Sequence, residues 1–128
     1  MDVVAILPRQ LLSHLKIVLG PQHTLIAAER WDQLRATVQQ HATDVLVVDP
    51  TADGTPRVDT IEEIHRQLPS LPIVIYTTLS ATSMRAIHHL GRLGLEHVVL
   101  NRFDEVKRFA AKSDRWGPTA TRPQRTDR

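Results

Sequence analysis

The chain of 128 residues has no cysteine, five glycines and only five aromatic side chains. Without cysteine there is no disulfide, no thiol nucleophile and no cysteine-ligated zinc or iron-sulfur centre. The glycines are too sparse for a phosphate-cradling loop, and Gly91 and Gly94 follow a helical pattern where such loops precede one. With so few aromatics, a flavin or nucleotide cofactor is not expected. No serine sits in a nucleophile elbow, so the chain reads as a non-enzyme. No apolar run approaches the about 20 residues of a membrane-spanning helix, and the N-terminus lacks the basic start and apolar stretch of a signal peptide. The expectation is a cytoplasmic protein without a membrane partner.

What is present is enough for one domain. Hydrophobic residues make up 41% of the chain and charged residues 23%, and a chain of this length buries about two thirds of its unfolded surface. The formal charge of +2 is unevenly placed: the body up to Lys112 carries 12 residues of each sign, and the surplus comes from Arg115, Arg122, Arg125 and Arg128 against Asp114 and Asp127. A neutral body is a poor nucleic-acid reader, so no direct nucleic-acid binding by the body is expected.

Apolar periodicity divides the body into short continuous runs alternating with amphipathic stretches. Val3–Leu7, Thr24–Ala28, Val45–Val48, Ile73–Tyr76 and Val98–Leu100 read as strands, closed by Pro8, Asp49-Pro50 and similar stops. Between them, Leu11, Leu12, Leu15 and Leu19 recur at helical spacing, as do Trp31, Leu34 and Val38, then Ile61, Ile64 and Leu68. A fourth helix starting near Ser80 or Thr82 has Met84, Ile87 and Leu90 as its expected buried side, with Gly94 as its C-terminal cap. Phe103, Val106, Phe109 and Ala110 suggest a fifth helix ending near Lys112.

Five strand-helix units in this length imply a parallel sheet, and strands without polar alternation must be covered on both faces. Right-handed crossovers favour an α/β, flavodoxin-like, doubly wound sheet of five strands in the order 2-1-3-4-5. The expected organisation is one domain over residues 1–112. Residues 113–128, rich in Thr, Pro and Arg, read as a disordered tail or linker.

Ligands of such sheets gather at the carboxyl ends of the strands, which here carry Pro8, Arg9, Asp49, Thr77, Thr78 and Asn101. The order and spacing of DVLVVDP at 44–50, LPIVIYTT at 71–78 and LGLEHVVLNRFDE at 93–105 resemble the receiver domain of two-component response regulators, over residues 2–112. The resemblance implies that Asp49 corresponds to the phosphate-accepting aspartate and Thr77 to the Thr/Ser that rearranges toward the phosphoryl group. It also implies a role in phosphorelay signal transduction, with a sensor kinase or an output domain as protein partner.

The chain departs from that pattern at several places. Receivers end the first strand with an acidic pair that helps hold magnesium, where this chain has Pro8 and Arg9. They close the fifth strand with a lysine, where Asn101-Arg102 stands here, and Val98 takes the place of their aromatic switch residue. Pro50 follows the acceptor immediately. One carboxylate is little for an ion that prefers octahedral oxygen ligands, so no cofactor is expected, and magnesium only if the phosphorylation site functions. Arg9 could pair with Asp49 in place of the metal; the plain alternative has Arg9 in solvent and Asp49 as a capping or loop carboxylate. The leading expectation is a pseudo-receiver acting through protein contacts. Beside it stand a working receiver phosphorylated on Asp49, with Asp53 as an unrecognised metal ligand, and a flavodoxin-like small-molecule binder or enzyme.

Other candidates are weaker. The seven histidines form no spaced pair with a carboxylate on one helix, and Asp53-Gly54 reads as a turn, so no metal site is expected. Arg85, Arg92, Arg102, Asp104, Glu105, Lys107 and Arg108 place mixed charge on the fourth and fifth helices, the face receivers use for dimers and partners. They are the candidate interface, including one for a homodimer. Such a run is more often simply a solvated surface.

Overall fold

The computed structural model describes residues 1–95 and 97–100. Along the chain run β1 (Asp2–Ile6), α1 (Arg9–Leu19), β2 (Thr24–Ala27), a single 3-10 turn (Trp31–Gln33) leading into α2 (Leu34–Gln40), β3 (Val45–Val48), α3 (Val58–Gln67), β4 (Ile73–Thr77), α4 (Ala81–Gly91) and β5 (Val98–Leu100). The five strands form one parallel sheet in the order β2-β1-β3-β4-β5. This is the doubly wound order expected from the sequence. The expected fifth helix and the tail at 113–128 lie outside the described residues.

Alternation along each strand separates two apolar layers. Val4, Ile6, Leu46, Val48, Ile73 and Ile75 face the side covered by α2, α3 and α4, through Leu34, Val38, Ile61, Ile64 and Leu90. Val3, Ala5, Val45, Val47, Val74, Tyr76 and Val99 face the side covered by α1, through Leu11, Leu15 and Leu19. β3 and β4 are buried along their whole length, as strands covered on both faces must be. Burial pushes the Tyr76 phenol above its ordinary pKa.

The inner side of α4 differs from the expected one. Leu90 is buried and Ile87 half-buried, but Met84 is exposed, and the buried stripe is Ser83, Ala86 and Leu90. The helix is turned so that a serine faces inward at N3. Its hydroxyl makes that burial tolerable, because it donates to the Thr78 carbonyl oxygen at 2.6 Å. Ser80 and Ser83 close a reciprocal capping box, with the Ser83 amide donating to Ser80 Oγ and the Ser80 amide to Ser83 Oγ. At the other end, Leu95 N–H donates to Leu90 O at 3.1 Å and Gly94 N–H to Gly91 O at 3.0 Å. Gly94 sits at φ +92°, so this is a Schellman ending on the glycine the sequence singled out.

Candidate functional site

The carboxyl ends of β3 and β4 bring Asp49 and Thr77 together. Asp49 follows the last residue of β3, its amide donating to Ile6 O of the neighbouring strand at 3.0 Å, and its side chain is only 3% exposed. A buried carboxylate needs donors. All three given to Asp49 among the described residues converge on Oδ1: the Thr77 hydroxyl at 2.8 Å, the Thr51 amide at 2.9 Å and the Thr51 hydroxyl at 2.9 Å. The Thr77 hydroxyl lies 3.5 Å from the Thr78 carbonyl, too far to compete with a 2.8 Å bond to a carboxylate.

Asp49, Thr77 and Ser83 are the buried polar or charged residues among those described. They lie along one path, since Thr77 adjoins Thr78, whose carbonyl accepts from Ser83. The Thr78 side chain is exposed, so only its main chain takes part. Neither Thr51 nor Ser83 stood out in the sequence reading. The available signals were the Asp-x-Thr spacing of an Asx turn and the Ser80-x-x-Ser83 spacing of a helix start.

The loop after Asp49 is closed by its own bonds. Ala52 N–H donates to Asp49 O, Gly54 N–H to Thr51 O and Arg57 N–H to Pro50 O. Gly54 is at φ +85°, where a side chain would be strained. Asp53 Oδ1 accepts from the Thr55 amide, and Oδ2 pairs with Arg57 Nη2 at 2.6 Å and Nε at 3.1 Å. The Asp53-Gly54 turn is as expected. The Arg57 guanidinium holds the Asp53 carboxyl below its ordinary pKa.

Over β1 and β2 the strand ends differ. Pro8 caps α1 without a side-chain hydrogen bond, Arg9 opens that helix, and its first turn has no acidic residue. The expected pairing of Arg9 with Asp49 is not formed. Arg9 is exposed, and no carboxylate among the described residues lies within salt-bridge distance of it. Arg9 instead lines a cleft of about 680 Å³ floored by Ile6, Leu7, Leu12, Ala28, Trp31 and Ala52. On its rim Arg30 and Asp32 form a two-pronged ion pair, at 3.1 and 2.7 Å, beside the Arg57–Asp53 pair. The Arg30 guanidinium holds the Asp32 carboxyl low, with a smaller contribution from Arg57 across the cleft.

These residues do not fit a magnesium ion. Pro8 and Arg9 supply no oxygen ligand to match Asp49, Oδ1 of Asp49 is saturated by threonines, and Asp53 is tied to Arg57. Among the described residues no three His, Asp or Glu side chains are grouped to hold a metal. Asn101, the remaining pocket residue expected from the sequence, lies outside the described residues, as do Arg102, Asp104, Glu105, Lys107 and Arg108. Arg85 and Arg92 are exposed on and just after α4, each without an ion pair among the described residues. No helix among the described residues is long and apolar enough to cross a membrane.

No protein-family model and no curated protein matches the chain. Solved structures do match. NtrX from Brucella abortus aligns with a TM-score of 0.76 at 18% identity over 93% of this chain; the chain spans 28% of NtrX. The N-terminal signal receiver domain of a two-component response regulator from Bacteroides fragilis aligns with a TM-score of 0.71 at 16% identity, covering 96% of this chain and 99% of that one. The chemotaxis response regulator CheY4 of Vibrio cholerae aligns with a TM-score of 0.66 at 14% identity, covering 87% and 96%. With the strand order 2-1-3-4-5 and the buried Asp49 at the end of β3, these likenesses establish that the chain has the fold of response-regulator receiver domains.

Proposed function

We propose that the chain is a receiver-type signalling domain of the two-component class whose phosphorylation site is incomplete and which acts through protein contacts. The observation that carries this reading is the β1 end: where a receiver needs a second acid beside Asp49, this chain has Pro8 and an Arg9 that opens α1 and faces solvent. Transfer of a phosphoryl group to a carboxylate brings negative charges together and needs cations to offset them. The described part of this site provides none in contact with Asp49. The domain, as proposed, extends to residue 112 and works in the cytoplasm without binding nucleic acid, as neither an enzyme nor a magnesium protein.

The surface suits a protein partner, either an output domain or a sensor kinase that docks without transferring phosphate. Leu79 and Met84 are 52% and 44% exposed, two residues beyond β4 and on the first turn of α4, the helix that carries Arg85 and is followed by Arg92. Exposed apolar side chains on an element that also carries cations suit an apolar, acidic partner or a second copy of this chain. An intact-mass spectrum of the full chain after incubation with acetyl phosphate and magnesium tests the reading, with Asp49→Asn as control. No adduct is expected. An adduct lost in the control makes Asp49 a working acceptor and overturns the proposal.

A further inference from the structure

Asp49 is nearly inaccessible to solvent, no cation among the described residues touches it, and the donors that those residues give it are neutral. We infer that Thr51, together with Thr77, forms a clamp on Asp49 Oδ1 that takes over the charge-satisfying role of a metal at this site, with Thr51 as its positioning residue. This deepens the proposed function and rests on it. Thr51 contributes two of the three donors, its amide and its hydroxyl, both at 2.9 Å and both to the oxygen that Thr77 reaches from β4 at 2.8 Å.

An Asx turn needs only the amide. The added hydroxyl makes the arrangement more than a turn, because an oxygen with two in-plane lone pairs receives three donors from two elements. The clamp therefore fixes the carboxylate rotation, sequesters Oδ1, and leaves Oδ2 as the oxygen without a donor among the described residues. It also ties the start of the β3–α3 loop to the end of β4 through one carboxylate oxygen. Arg9, the side chain with the right charge for this role, does not reach the carboxylate.

The test is a double-mutant cycle on the full chain, read by urea unfolding in metal-free buffer. Thr51→Val keeps the amide donor and nearly the same volume while removing the hydroxyl, and Thr51→Ser keeps both donors. The expected result is that Thr51→Val lowers the folding equilibrium constant about tenfold, the loss of a hydrogen bond to a charged group, and that Thr51→Ser restores most of it. In an Asp49→Asn background the same change falls to about threefold, because a neutral acceptor takes a bond roughly half as strong. An equal effect in both backgrounds, no effect in the parent, or failure of serine to restore stability would each show a packing role and overturn the clamp.

Should Asp49→Asn fail to fold, a cycle between Thr51→Val and Thr77→Val serves. Two donors that share one acceptor give a double loss larger than the sum of the single ones, and simple additivity overturns the inference. These outcomes are separable from those of the functional reading. Phosphorylation of Asp49 would contradict the proposed function while leaving the cycle in the unmodified protein intact. An additive cycle in a chain that takes no phosphate does the reverse.

Discussion

At the ends of β3 and β4, Asp49 and Thr77 are buried, and the donors that the described residues give to this carboxylate are neutral. In the cleft lined by the ends of β1 and β2 and by the β3–α3 loop, the charges are many and exposed. The Arg57–Asp53 contact, at 2.6 Å, is shorter than the Thr77–Asp49 bond at 2.8 Å. Yet the side chains of the first pair are each 40% exposed, and those of Arg30 and Asp32 65% and 62%. In water both partners of an exposed pair keep good alternatives, so shortness adds little. A buried donor or acceptor has no alternative. Burial, and not distance, ranks the two regions.

The largest effect expected from this ranking is that of Asp49→Ala. It removes the acceptor of three donors and strands the fully buried Thr77 hydroxyl, so unfolding in urea should show a loss of about 3 kcal/mol. Thr77→Val removes one of those donors and keeps its shape, and should cost about 2 kcal/mol. Ser83→Ala opens the capping box and frees the Thr78 carbonyl. A loss of about 1 kcal/mol is expected, with increased amide exchange confined to the first turn of α4. If Ser83→Ala matched Asp49→Ala, the start of α4 and not the carboxylate would be the centre of the buried path.

The smallest effect belongs to the exposed pairs. Asp53→Asn should leave the urea midpoint nearly unchanged, with any difference vanishing in high salt. Because Asp53 and Asp32 are held below their ordinary carboxylate pKa, taken as 3.8, their contribution is present above that value. It is lost as the pH falls through the lowered folded pKa. A parent and an Asp53→Asn variant compared from pH 7 to pH 2 should differ slightly at the neutral end and converge at the acid end. A large difference at pH 7 would break the ranking of the two regions.

How much of this was legible beforehand follows the same physics. The strands were readable because each is a continuous apolar run, such as Val45–Val48 or Ile73–Tyr76, and runs of that kind must be covered on both faces. Their observed bounds differ from the expected ones by a residue at most. That Asp49 and Thr77 meet was readable because strand ends in this fold converge. The direction of Arg9 was not, since a charge beside a strand end can turn either way and only the start of α1 settles it. Met84 was misplaced for a related reason. A reading that seeks apolar residues on a helix face passes over Ser83, whose burial depends on a partner carbonyl five residues earlier in the chain. Thr51 was hidden likewise, because a threonine two residues beyond an aspartate carries no periodic signal.

The account's central claim is that threonines satisfy the buried carboxylate of Asp49 and that the site, as proposed, holds no magnesium. Urea unfolding of the full chain with and without magnesium, repeated on Asp49→Asn, tests this most directly. An ion bound by the folded state alone would add about 2.7 kcal/mol at one hundred times its dissociation constant. The prediction is superimposable curves for the parent in the two buffers. A magnesium-dependent gain in stability that disappears in Asp49→Asn would contradict it.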